Sequence, residues 1–433
     1  LINDDKETSL PSAAITEANI SVRTLPNGLT VTLERLPHLH SISAGVWIKT
    51  GSATERDHET GIAHFLEHLL FKGTPTRTAH QLMQEVEGHG GQFNAFTSRE
   101  YTCVYVKMLA EHVHIGLDVL ADIIKNSTFN DLEKERNVIL EEIASIEDTP
   151  DELAHDLIGL QHWPNHPLGR PVSGTVASVS ALTLDDVRAF HQAWYRPENM
   201  VISVAGKIDE ATVAAQIETI FGDMPAGAAP ERFGPPTFQA GMQHVPRKIA
   251  QSHLCFGFPS VPVSAEERYT AELLSNTLGG GSTSRLFERI REDEGLAYSI
   301  FSYQAAYLSA GVFGVYAGVA PKNLQRTLEL ICQELVRMRE EPVPVEELDS
   351  NREQLKGGLL MALESTFTRM ARMAKSMLYY GRIVPIDELI TAIEGVTPAD
   401  VQDFAQRMFT SDQCALLVFG PAEKRHIDRG LCL

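Results

Sequence analysis

A repeat constrains this chain more than any other feature. Residues 183–206, TLDDVRAFHQAWYRPENMVISVAG, align without gaps on residues 397–420, TPADVQDFAQRMFTSDQCALLVFG. Thr, Asp, Val, Phe, Gln, Val and Gly recur at matching places, 214 residues apart. In each copy a helical pattern leads into an apolar strand that ends on Gly. Recurrence of such a unit at this distance predicts two similar domains. The length of 433 residues agrees, being too long for one ordinary core. Between the copies, Phe221 to Ala240 holds Pro225, Pro230, Pro235 and Pro236 among Gly and Ala, a linker composition. The expected division is a loose arm at 1–18, a first domain at 19–221, a linker at 222–240 and a second domain at 241–433.

Only the first half carries a chemical motif. Gly61 to Gly73 reads GIAHFLEHLLFKG, with Thr60 before it as a candidate cap. At about 100° per residue, His64, Glu67 and His68 share one narrow arc of a helix, and Phe65, Leu66, Leu69 and Leu70 cover the other side. Histidines at i and i+4 are spaced for one zinc ion, and the adjacent glutamate is placed to take a proton from an activated water. The order H-x-x-E-H reverses the commoner metallopeptidase motif. An ordinary surface helix with two histidines would look the same, so a third ligand has to be found.

Asn130 to Asp148, NDLEKERNVILEEIASIED, supplies candidates. Leu132, Ile139, Ile143 and Ile146 make its apolar stripe. Glu135 and Glu142 fall inside or beside that stripe, while Glu141 points away. A core-facing carboxylate is costly unless it is paired or bound to metal. Buried ion pairs would explain both glutamates equally well. Beside the histidine motif, Glu142 becomes the preferred third ligand, and Glu135, two turns earlier, a supporting or catalytic carboxylate.

These stretches resemble the pitrilysin (M16) family of zinc metallopeptidases, in particular the branch of bacterial processing peptidases and the mitochondrial processing peptidase β subunit. The matching segments are 61–74, GGQFNAFTSREYT (90–102), ERNVILEEI (135–143), HPLGRPVSGT (166–175) and LGGGSTSRLFERIREDEGLAYSI (278–300). The family pattern places the distal ligand at roughly the mid-seventies of residues beyond the second histidine. Glu142 lies 74 beyond His68. The expected fold is α+β, two homologous domains, each a mainly antiparallel sheet covered by helices. The resemblance implies that they face each other across a chamber that admits unfolded peptide.

The resemblance also implies roles for further residues. Gly90-Gly91 opens a strand whose Asn94 and Ala95 would lie beside the scissile bond, with the substrate added as a strand. Glu152 and Asp156, at i and i+4 on a helix over Asp151 to Leu160, would recognise a substrate arginine; a solvated acidic face is the alternative. Arg291 and Tyr298 would reach over from the second domain to hold substrate backbone and donate to a developing oxyanion; an exposed arginine and a core tyrosine are the alternative. The expected mechanism has one Zn2+ held by His64, His68 and Glu142, Glu67 as general base and Glu135 in support. His162 and His166 are separated by the helix breaker Pro164, and His112 and His114 face apart, so these four are expected to be surface or structural residues.

Composition narrows the rest. Thirty-seven Lys and Arg against 57 Asp and Glu give a formal charge of -20, which argues against nucleic-acid binding through phosphates. Gly279-Gly280-Gly281 lacks the Gly-Lys-Ser/Thr of a nucleotide loop. No apolar run approaches the length of a membrane span, and five scattered cysteines suit a reducing, cytoplasmic setting. The chain starts at Leu1 rather than Met, which leaves room for a removed targeting segment. A homodimer, or a heterodimer with a related chain, is implied by resemblance. Two rival classes are a non-catalytic scaffold subunit, which would have lost a ligand or the base, and a metal store, which would not need Glu67.

Overall fold

The first half forms one six-stranded sheet from Ile20–Thr24 (β1), Thr30–Arg35 (β2), Ser41–Ile48 (β3), Gln92–Thr97 (β4), Thr102–Leu109 (β5) and Met200–Gly206 (β6), in the order β1-β2-β6-β3-β5-β4. The second half forms a five-stranded sheet from Gly241–Pro246 (β7), Ser252–Ser260 (β8), Ala297–Ala306 (β9), Gly311–Val319 (β10) and Ala415–Gly420 (β11), in the order β7-β11-β8-β10-β9. These elements come from a computed structural model that describes residues 19–422; the expected arm at 1–18 lies outside the described residues. Each sheet has one parallel pair, β2 with β6 and β7 with β11, and is otherwise antiparallel. Set aside β1, and the two halves have the same strand order and the same parallel pair. The internal repeat is thus a repeat of the whole topology.

The repeated segment shows why it recurs. Helices Leu184–Trp194 and Pro398–Met408 open with the same capping box, Thr183 with Asp186 and Thr397 with Asp400. The strands that follow end at Gly206 (φ 141°) and Gly420 (φ 130°). A Cβ there would meet the backbone oxygens of Ser41 and Gln251, beside the starts of β3 and β8. Backbone packs on backbone at both places, and only glycine fits.

The halves are joined by exchange. In β3, Ile42, Ala44, Val46 and Ile48 face the first half's own helices, while Trp47 packs on Met370, Met373 and Ala374 of helix Thr366–Tyr380. Ser43 Oγ and Thr366 Oγ1 are 2.9 Å apart, Ser203 Oγ donates to the Met370 carbonyl at 2.8 Å, and Arg369 pairs with the buried Glu34. The reciprocal contact involves helix Pro150–His162 of the first half. Its Ala154 and Ile158 pack on Cys255, Ala415, Leu417 and Phe419 of the second sheet. Each sheet is therefore covered on one face by its own half and on the other by a helix from the partner half. This is why burial in β3, β6, β8 and β11 is nearly continuous along the strand rather than alternating.

Residues 222–240 contain no helix or strand, but they are not detached. Arg232 donates to the Lys49 carbonyl, Gly234 O lies 2.9 Å from His166 Nε2, and Phe238 stacks on His162. His162 is itself buried. It is structural, not a surface residue. Among the described residues no helix is long and apolar enough to cross a membrane, and Cys103, Cys255, Cys332 and Cys414 are buried.

Candidate metal centre

The histidine helix spans Ile62–Leu70, with Phe65, Leu66, Leu69 and Leu70 fully buried. Its start departs from the sequence expectation. Thr60 does not cap it; the Thr60 hydroxyl donates to the Asp57 carbonyl. The amides of Gly61 and Ala63 instead donate to the two oxygens of Glu55, at 2.8 and 2.9 Å. This buried carboxyl from a preceding turn fixes the helix end by accepting both amides, although burial, against those two hydrogen bonds, pushes its pKa up to about 8. Its separation of six and eight residues from the amides lies outside local capping patterns, so no sequence rule pointed to it.

His64 and His68 project from this helix towards Glu142 on helix Leu132–Glu147. His64 Nε2 lies 3.6 Å from one Glu142 oxygen, and His68 Nε2 lies 3.7 Å from the other. These three residues form a group whose ligand atoms all lie within 4.8 Å of one another. The separations are too long for hydrogen bonds. Two metal bonds of about 2.1 Å at a tetrahedral angle leave donors about 3.4 Å apart, so the spacing fits a shared zinc ion. Burial, and secondarily the neighbouring His68, lower the His64 pKa to about 4, which keeps the imidazole neutral as a ligand must be. Among the described residues, buried His64 Nδ1 has no hydrogen-bond partner.

His68 is held from behind. Its Nδ1 lies 3.4 Å from Glu135 Oε2, and the other Glu135 oxygen pairs with Lys72 Nζ at 2.8 Å. A carboxylate at Nδ1 selects the tautomer that leaves Nε2 free for metal. Glu135 is almost fully buried and is not among the residues that line the cleft. Glu67 does face the cleft. Burial raises its pKa, against the opposing hydrogen bond donated by Thr97 Oγ1 at 2.6 Å. Neither Thr97 nor Lys72 was singled out in the sequence; both act through other side chains.

The cleft encloses about 630 Å³ and brings together His64, Glu67, His68, Ala95, Glu142, Glu152 and Asp156. Ala95 lies on β4, the free edge of the first sheet, and Asn94 beside it is exposed. Among the described residues, Glu152 and Asp156 have no ion-pair partner within 4 Å. Burial raises the Asp156 pKa, with Arg99 opposing. Arg99 and His155, which the sequence reading passed over, line the same cleft. Arg291 and Tyr298 are not brought into it. Arg291 Nη1 donates to the Tyr298 carbonyl at 2.8 Å, and its guanidinium lies over the rings of Phe287 and Tyr298. Tyr298 is 78% exposed on β9, the edge of the second sheet, so it is not a core tyrosine.

Residues 30–176 match the family described as insulinase (peptidase family M16), and residues 181–355 match the peptidase M16 inactive domain. The chain is 40% identical to an uncharacterized zinc protease of Bacillus subtilis, over 91% of this chain and 97% of the relative. In fold it is similar to a protease from Helicobacter pylori, with a TM-score of 0.88 at 23% identity, covering 93% of this chain and 99% of that one. A peptidase M16 inactive domain from Pseudomonas fluorescens superposes with a TM-score of 0.87 at 20% identity, covering 94% and 100%.

Proposed function

Because the chain belongs to peptidase family M16, we propose that it is a zinc-dependent endopeptidase acting on unfolded peptide. One observation carries the reading: two imidazole Nε2 atoms and both oxygens of Glu142 converge at a spacing that suits a metal ion, beside a cleft-facing glutamate. An inactive member of the fold would lack one of these groups. Zinc bound here supplies a Lewis acid and lowers the pKa of a coordinated water to about 7.

The chain's own residues do the rest. Substrate backbone pairs with the free edge of β4 near Asn94 and Ala95, which aligns an extended peptide across the cleft. Glu67 accepts a proton at a carboxylate oxygen and returns it to the departing amine; its raised pKa suits both directions. Thr97 keeps that carboxylate oriented. Glu152 and Asp156, unpaired in the described structure, take a basic side chain. Arg291 and Tyr298 contact substrate from the second half only in the complex, since here they contact each other.

The test is cleavage of a mixture of denatured peptides by zinc-loaded protein, read by mass spectrometry, with and without chelator. Glu67→Gln should lower kcat by about 10²–10⁴ while zinc content stays at one per chain. Unchanged cleavage in that variant would remove Glu67 from the mechanism. Absence of all cleavage by loaded wild type would return the chain to the scaffold class.

A further inference from the structure

A second cavity adjoins the metal cleft. It encloses about 320 Å³ and lies on the seam between the halves. Its floor is one face of β9, where Phe301, Tyr303 and Ala305 alternate with residues that face away, extended by Tyr307 just past the strand's end. Its roof is helix Pro150–His162 of the first half, through His155, Ile158, Gly159 and His162. Trp163 closes one end, with its ring 5.8 Å from that of Tyr307. Burial lowers the pKa of His155 and takes that of His162 to about 3, so both imidazoles are neutral and the lining is uncharged apart from Arg99. Arg99 and His155 line both this cavity and the metal cleft, so the two spaces share a wall.

We propose that this seam cavity is a side-chain subsite for a large apolar or aromatic residue of the peptide substrate. The proposal rests on the peptidase reading above. His155 already packs on Phe301 and Tyr303, so a guest side chain would lie alongside these rings and those of Tyr307 and Trp163 rather than between them, where edge-to-face or offset contacts favour an aromatic one. Placement along the shared helix sets the register. Glu152 and Asp156 precede Gly159 and His162 by six to seven residues, or about 10 Å at 1.5 Å per residue. At ~3.3 Å per residue that distance spans about three residues of an extended strand. The apolar residue therefore falls about two to four positions from the basic one, on the side away from the cut, because the metal ligands line only the other space. Neither half makes this pocket alone, so selection of peptides depends on the exchanged helix.

The test compares two peptides that share a basic residue, one with Phe and one with Gly at the second to fourth positions beyond it. Zinc-loaded wild type should cleave the Phe peptide with about tenfold higher kcat/KM, expressed mainly in KM. Ala305→Trp, which fills the cavity from β9, should bring the ratio of the two peptides near one; its zinc content reports whether it has folded. Should that variant fail to fold, the wild-type ratio still decides. Equal cleavage of both peptides by wild type, or an undiminished Phe preference in folded Ala305→Trp, would overturn the subsite. Cleavage of neither peptide would instead bring down the peptidase reading itself, a separate and visible outcome.

Discussion

At the scale of single residues, the centre depends on groups that touch no metal. Glu55 is the clearest case, since two amides of the histidine helix have no acceptor without it. Glu55→Ala should cost about 2–3 kcal/mol in chemical denaturation, and zinc should bind more weakly to the variant. A second prediction concerns acid. Burial lowers the pKa of His162 to about 3 and of His191 to about 4, both below the unfolded value of about 6.5. The unfolded chain then binds the proton first. Stability is complete above about pH 6.5 and falls as pH drops towards 4 and 3. Between pH 7 and 5 His162 alone should account for a loss of about 2 kcal/mol. His162→Gln should shrink the pH dependence by that amount, whatever its stability at pH 7; an unaltered slope would mean the ring is protonated when folded.

At the scale of elements, helix Pro150–His162 is the most consequential. It carries Glu152 and Asp156 towards the cleft and docks on the other half's sheet. Docking depends on close approach: a Cβ on Gly257 of β8 would lie 1.8 Å from His162 Nε2. Gly257→Ala must push the ring and lift the helix, with an expected cost of about 1–3 kcal/mol and a fall in kcat/KM for basic peptides. Removing the ring at the same time should restore part of the loss. A double-mutant cycle with His162→Ala should therefore show favourable coupling of about 1 kcal/mol or more, whereas strict additivity would say the two do not press on each other.

At the scale of the whole molecule, the exchange of helices makes two cores behave as one. Unfolding either half strips a covering helix from the other's sheet and exposes Trp47 or Phe419 with their neighbours. Calorimetry should then show a single transition despite two sheets. Two resolved transitions would show that the seam contributes little. The same argument gives the linker a structural task, since Arg232 and Phe238 pack along the seam rather than merely spanning it.

Much of this was fixed by local pattern. The repeat announced two like domains because a capping box, an apolar strand and a terminal glycine each leave a short-range mark. His64, Glu67 and His68 were legible because a helix places i, i+3 and i+4 on one face, and Glu142 because the face of its own helix distinguished it from Glu141. Tertiary structure alone decided the remainder. Glu55 as the helix cap, Thr97 behind Glu67, Lys72 behind Glu135 and the burial of His162 all rest on residues distant in sequence or on the packing of one half against the other. The exchanged helices belong to the same class: an apolar stripe tells a helix that it must be covered, but not by which sheet. That choice is made by shape and contact between surfaces far apart along the chain, and periodicity carries no record of it.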